Sequence, residues 1–314
     1  MKKKTMNLPI LYIVVPCYNE QDVLLITSKL FEKKIIEQID EKKISNKSKA
    51  LFVDDGSKDN TWNIIKQLSS SSKYIEGISL SRNRGHQNAL LAGLMEVKDI
   101  CDIAISIDCD GQDDINAIDN MIDKYYDGYD VVYGVRSSRK TDSFFKRFTA
   151  ESFYKILNMM GAEVIYNHAD YRLTSSKVLK EFSNYKEVNL YLRGLFPLVG
   201  FKSTTVEYSR KERIAGESHY PLSKMLSLAF DGITSLSIKP ISLIVYLGIV
   251  LFIINFVFLI INIINGNELW IATNLICSLL DITIIAIGVV GIYVGKSYLE
   301  EKHRPRYIIN EKTF

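Results

Sequence analysis

Two almost wholly apolar runs, residues 241–264 and 269–293, restrict this chain more than any other feature in it. A helix needs about 20 residues to cross a bilayer, and each run reaches that length. Hydrocarbon offers backbone amides no partners, so only helices and closed barrels span it. The connector Asn265-Gly266-Asn267-Glu268 leaves room for a tight reversal and predicts a helical hairpin. Either run alone would also suit a helix buried in a soluble core; two of this length, back to back, favour the membrane. The connector holds no Lys or Arg, whereas Lys224 and Lys239 precede the first run and Lys296, Lys302, Arg304 and Arg306 follow the second. The positive-inside bias therefore predicts that both ends, and the large N-terminal part, are cytoplasmic. Asp281 falls mid-way along the second run, where a carboxylate must face protein, water or a headgroup. A structural contact with Asn255, with Asn262 or with a neighbouring copy in a homo-oligomer would satisfy it.

With 314 residues, the chain has room for one large α/β domain ahead of the hairpin. The expected plan is a cytoplasmic domain over 1–220, an amphipathic helix over 221–240, the hairpin over 241–296 and a cytoplasmic tail over 297–314. Leu222, Met225, Leu226, Ala229, Phe230, Ile233 and Leu236 recur at helical spacing, with Lys224, Asp231 and Thr234 between them. That pattern suits a helix lying on the membrane surface. The basic start is followed by an apolar stretch, residues 8–15, too short for a signal peptide. A net charge of only +3, with acids and bases intermixed, argues against nucleic acid as a partner. Cys17, Cys101, Cys109 and Cys277 lack paired metal spacing and fit a reducing compartment without disulfides.

Residues 10–15 form an aliphatic run ending at Pro16, followed by a polar turn and a helical pattern to Ile39. The cycle repeats with a strand over 50–53 and a helix over 60–69, then a strand over 75–80 and a helix over 86–97, then a strand over 103–107. Further strands are expected over 131–135 and 202–208, the second leading into a basic, mobile loop over 209–220. Such alternation predicts a largely parallel sheet covered on both faces, with ligands beyond the carboxyl ends of its strands.

Polar residues gather at those ends. Asp108-Cys109-Asp110 places two carboxylates one residue apart, a pattern able to converge on a hard cation, with Gln112 and Asp113 next to it. An acidic pair after a strand is more often a solvated turn or a helix cap. Asp54-Asp55-Gly56-Ser57, with Asp59 and Thr61, reads as a tight, capped turn or as a carboxylate facing a base or ribose. Tyr18 is placed to stack on a base. His86, His168, His219 and His303 lack ligand spacing and read as ordinary polar side chains, and Cys17 and Cys109 as packing residues.

Read in order, Pro16-Cys17-Tyr18-Asn19-Glu20, Asp54-Asp55-Gly56-Ser57-Lys58-Asp59, Ser81-Arg82-Asn83-Arg84-Gly85 and Asp108-Cys109-Asp110-Gly111-Gln112-Asp113 resemble family 2 glycosyltransferases of the GT-A fold. Asp170-Tyr171-Arg172-Leu173 and residues 210–224 narrow the resemblance to the bactoprenol glucosyltransferase and dolichol-phosphate mannose synthase group. The resemblance covers almost the whole chain. It implies that Pro16, Tyr18, Glu20 and Asp54, with Asp55 and Arg84 in the same motifs, hold the nucleotide. Likewise Asp108, Asp110 and Gln112 would hold Mg2+ or Mn2+ against the diphosphate. One departure is Asp113-Asp114-Ile115 where the family has Asp-Pro-Pro, which bears on the local loop shape.

The implied reaction moves a hexose from a nucleotide sugar, UDP-glucose first and UDP-N-acetylglucosamine second, to polyprenyl (undecaprenyl) phosphate, with inversion. A metal stabilises the departing diphosphate. A phosphate monoester is largely ionised at neutral pH and needs cations more than a base; Arg136, Arg139, Arg210 and Arg213 are candidates, although each alone reads as a surface charge. The resemblance marks Asp170 either as a base or as a residue orienting Arg172 or the acceptor phosphate. A flippase and a second glycosyltransferase are implied downstream. Two rivals are a processive polysaccharide synthase, which would carry more spans and a Gln-x-x-Arg-Trp motif, and a non-catalytic nucleotide-sugar scaffold, which would carry a broken metal motif. Transport suits two helices least.

Overall fold

The computed structural model describes residues 8–137, 168–187, 191–210 and 268–314. Strand β1, Leu11–Cys17, is buried along its whole length, as an aliphatic strand inside a doubly covered sheet must be. Its side chains alternate between faces. Leu11, Ile13, Val15 and Cys17 join one core with helices α1 (Gln21–Asp40), α2 (Thr61–Ser71) and α4 (Ala117–Tyr126). Tyr12 and Val14 join the other, with α3 (His86–Val97), α5 (Ser176–Phe182) and α6 (Leu192–Leu198). Each fully buried Leu or Ile contributes about 1.5–3 kcal/mol, so these two layers supply most of the driving force.

The remaining strands are β2 (Lys49–Asp54), β3 (Ile75–Leu80), β4 (Ile103–Ser106), β5 (Val131–Arg136), β6 (His168–Ser175), β7 (Ser203–Tyr208) and β8 (Ile309–Lys312). They form one sheet in the order β7-β5-β6-β4-β1-β2-β3-β8. The core β4-β1-β2-β3 is parallel, as expected, and so is β5 with β7. β6 runs antiparallel between β4 and β5, and β8 runs antiparallel along the outer edge of β3.

Register brings the chemistry to one edge. Cys17 pairs with Asp54 and Asp54 with Ser79, so the first three parallel strands end together. Ser106 pairs with Arg172, and Arg136 with Tyr208, so Asp170, Arg136 and the segment after β4 reach the same edge.

The tail expected over 297–314 is more than a tail, because residues 309–312 complete the sheet built by the N-terminal domain. Trp62 donates its indole N–H to Glu311 at 2.7 Å, Ser69 and Thr313 hydrogen-bond at 2.8 Å, and Arg306 donates to the carbonyls of Tyr185 and Glu187 at 3.2 and 3.4 Å. Helix α7, Glu268–Glu301, runs unbroken for 34 residues and includes the expected second span. Among the described residues no helix is long and apolar enough to cross a membrane. The first span, the amphipathic helix, most of the basic loop, Arg139, Arg213, His219 and the Asp281 side chain lie outside the description, so the hairpin rests on the sequence.

Candidate active site

The loops after β1, β2 and β3 are fastened to one another. Asn19, at a φ of 54°, donates its N–H to Ser57 Oγ at 2.9 Å and accepts from the Lys58 N–H through Oδ1 at 2.9 Å. The Glu20 N–H donates to Thr61 Oγ1 at 2.9 Å. Tyr18, beside them, keeps 37% of its surface exposed, enough for its ring to meet a planar ligand. Asp54 is buried, its Oδ1 accepting from the Ser57 N–H at 3.1 Å and its Oδ2 from Ser79 Oγ at 2.9 Å. Asp55 accepts from the N–H groups of Arg84 and Gly85 at 2.7 and 2.9 Å. Burial raises its pKa despite those two bonds. Asp54 and Asp55 therefore shape the floor of this strand-end edge, and Pro16 and Glu20 lie at its rim. Arg84 Nε is buried without a hydrogen-bond partner among the described residues.

After β4 the chain turns through Asp108, Asp110 and Gly111, the last at a φ of 68°. Asp110 Oδ1 accepts from the Gln112 N–H at 3.1 Å. Gln112 Oε1 accepts from Arg210 at 2.6 Å. Asp113 is buried and accepts from Tyr208 Oη at 2.8 Å, while Arg136 Nε donates to the same hydroxyl at 3.4 Å. Burial and the nearby Asp108 charge push Asp113 up to about 6. Arg136 and Arg210 thus both border the acidic motif.

Whether this motif suits a divalent cation can be judged from Asp108. Its Oδ1 is buried and has no hydrogen-bond partner among the described residues; His86 Nε2, at 3.6 Å, offsets its charge but stands beyond hydrogen-bond distance, which leaves the oxygen able to face a further cation. Among the described residues no three His, Cys, Asp or Glu side chains form a ready-made cage. Asp108 and Asp110 would therefore supply part of the shell, leaving the rest to phosphate oxygens and water, as Mg2+ usually requires.

Asp170 sits on β6 just beyond Ser106 and is buried. Arg193, from α6, grips it with Nε on Oδ1 at 3.2 Å and a terminal nitrogen on Oδ2 at 2.9 Å. His86, the first residue of α3, lies 3.5 Å from Asp170 and 3.6 Å from Asp108. Burial alone would raise the Asp170 pKa, but Arg193 and His86 outweigh it and hold the carboxyl well below its usual range. Burial likewise works against charge on His86, and the two carboxylates outweigh it, raising the imidazole to about 9. A carboxylate held so low binds a proton poorly, which favours the orienting role over the base. Its partner, however, is Arg193. Arg172 is fully buried, its guanidinium stacked 3.6 Å over the Phe196 ring with no hydrogen-bond partner among the described residues. Stacking offers about 2 kcal/mol when desolvated, against a burial penalty of several kcal/mol per ion, so Arg172 also depends on the charge of Asp170.

Arg193 carries no motif signal, and only the fold brings α6 beneath β6. His86 carries a weak one, since it follows the third strand-end loop directly.

The fastened strand-end loops and the acidic motif beside them form the candidate site of a glycosyltransferase. The chain belongs to glycosyl transferase family 2, which residues 12–183 match. It is 48% identical over 310 residues to the uncharacterized glycosyltransferase YkoT of Bacillus subtilis (strain 168), covering 96% of this chain and 91% of that protein. It is 38% identical to the bactoprenol glucosyl transferase of Shigella phage SfV, covering 96% and 98%. Among solved structures, glucosyl-3-phosphoglycerate synthase from Mycobacterium tuberculosis with Mn2+, UDP and phosphoglyceric acid aligns over 73% of this chain and 77% of that one, at 17% identity and a TM-score of 0.45.

Proposed function

We propose that this enzyme transfers a hexose, with inversion, from UDP-glucose or, as second choice, UDP-N-acetylglucosamine to undecaprenyl phosphate at the cytoplasmic membrane face. The observation that carries this reading is the return of the chain at the active-site edge. The Ser81 N–H donates to the Ile308 carbonyl at 2.9 Å, and β8 runs antiparallel to β3, so the segment leaving α7 enters the sheet beside the carboxyl ends of the strands. Six residues separate Glu301 from Ile308, and an extended chain spans at most about 25 Å over those seven steps. A membrane helix ending at Glu301 would hold the site close to lipid headgroups. Because β8 and β3 share a sheet, the chain between them must cross any membrane an even number of times, which suits a hairpin. The name of the Shigella phage relative, a bactoprenol glucosyl transferase, supports a bactoprenol-type acceptor.

Asp108 and Asp110 would hold Mg2+ or Mn2+, whose charge stabilises the departing diphosphate. Tyr18, with the floor set by Asp54 and Asp55, would seat the nucleotide. Arg136 and Arg210, with Arg139 and Arg213, would draw the lipid phosphate to the opposite side of the anomeric carbon. The product would feed a flippase and a second transferase that modify a cell-envelope glycan, and a homo-oligomer would shelter Asp281.

Detergent-purified protein, incubated with undecaprenyl phosphate and a panel of nucleotide sugars in Mg2+, Mn2+ or chelator, tests this by mass spectrometry of the lipid. The expected result is a metal-dependent glycolipid absent from Asp110→Asn. Folded wild-type protein yielding no product from any donor would overturn it.

A further inference from the structure

Basic side chains gather around the one carboxylate of Asp170. Arg193 holds it by two hydrogen bonds, His86 stands 3.5 Å away, and Arg172 lies two residues along the same strand face without a hydrogen-bond partner among the described residues. A second carboxylate near His86 is that of Asp108, which belongs to the cation motif. Exposure shows which side is open: the Arg193 side chain keeps 26% of its surface and the Asp170 side chain 7%, so an anion arriving from solvent meets the guanidinium first. A planar guanidinium presents paired N–H groups that match phosphate oxygens, whereas a buried carboxylate repels them. The link through His86 to Asp108 keeps this position beside the place where the donor diphosphate would lie, as an attacking oxygen requires.

We infer that Arg193 receives the phosphate monoester of the acceptor, and that Asp170 is a positioning residue that holds the Arg193 guanidinium in place. The inference rests on the acceptor class proposed above and assigns it a residue outside the arginines that the sequence offers. The phosphate oxygen forms the bond to the anomeric carbon as the bond to the nucleoside diphosphate breaks, so no proton needs to pass to Asp170.

The test uses full-length protein in detergent with UDP and Mn2+. Binding of citronellyl phosphate and of inorganic phosphate is measured by calorimetry, and transfer to undecaprenyl phosphate is measured at varied lipid concentration. The expected result is that Arg193→Gln weakens citronellyl phosphate binding and raises the lipid KM by at least about tenfold, the loss of roughly one charge-assisted hydrogen bond, while UDP affinity holds. Arg193→Lys, which keeps a cation beside Asp170 and so protects the fold, should fall between the two. Wild-type lipid KM and probe affinity in both variants would overturn the inference, as would a parallel loss of UDP affinity. Probe binding that needs Arg193, with no glycolipid formed by the wild type, would uphold Arg193 as a phosphate site and reject the polyprenyl acceptor. Glycolipid formation with probe binding indifferent to Arg193 would do the reverse, and absence of both would reject both. Equal affinity for inorganic phosphate and citronellyl phosphate would confine recognition to the phosphate group.

Discussion

The Asp55 carboxylate bridges the adjacent N–H groups of Arg84 and Gly85, at 2.7 and 2.9 Å, and so fixes the loop after β3 against the loop after β2. Asp55→Asn keeps the shape but presents an amide N–H where an acceptor is needed. Leaving one buried N–H without a partner costs about 1–3 kcal/mol. The expected outcome in thermal denaturation is a lower melting temperature, with weaker UDP binding by calorimetry because Arg84 is no longer held. Unchanged stability would mean that the two loops are secured by other contacts.

Gly56 and Gly85 separate two effects of adding a methyl group. Both have positive φ, 65° and 87°. A Cβ at Gly56 would stand 2.5 Å from the Arg82 carbonyl carbon, whereas one at Gly85 would meet nothing within 4 Å. Gly85→Ala should cost only the backbone term, about 1–3 kcal/mol, because its φ of 87° and ψ of 153° lie where glycine alone settles readily. Gly56→Ala should cost clearly more, since backbone must move, and should depress nucleotide affinity as well. Equal melting temperatures for the two variants would contradict this.

Asp108 should behave in the opposite way to Asp55. Its buried Oδ1 makes no hydrogen bond among the described residues, and its charge raises the pKa of Asp113. Asp108→Asn is expected to lower kcat by at least about 100-fold, near 2.7 kcal/mol of barrier, and to abolish the Mn2+ dependence of UDP binding. Its melting temperature should fall less than that of Asp55→Asn, since the structural contact given up is the 3.6 Å approach to His86. A variant that melts several degrees early would instead mark Asp108 as structural.

Deleting residues 308–314 should expose the outer edge of β3. That edge now pairs with β8 and is buttressed by the Trp62–Glu311 and Ser69–Thr313 bonds. Unpaired strand edges recruit other chains. Size-exclusion chromatography should show aggregation, together with an earlier melting transition. A monodisperse, equally stable truncation would make β8 dispensable.

Much of this architecture can be read in the sequence because the parallel strands are aliphatic runs that end in polar turns. The helix expected over 86–97 is the one observed, His86–Val97, and the strand over 75–80 is Ile75–Leu80. β6 escapes that reading because Asp170 and Arg172 interrupt it, and a strand is recognised by apolar alternation. Its charges are tolerated only because α6 brings Arg193 and Phe196 to them from 20 or so residues downstream. β8, Ile-Asn-Glu-Lys, is polar because it lies at an edge, where charged side chains are the rule. The motifs proposed to hold nucleotide and cation are local in sequence and so can be picked out as candidates; the cluster around Asp170 is assembled from three distant segments, and Arg193 cannot.

The position of β8 also orders events during synthesis. β3 is complete at residue 80, but its outer neighbour begins at residue 309. At about 5–20 residues per second the ribosome needs roughly 10–45 s to supply it. In the arrangement proposed above, the hairpin leaves the ribosome within that interval. The catalytic sheet would then be closed only by a segment that emerges after the anchor, and newly made enzyme would reach its finished form already tethered to the membrane that holds its acceptor.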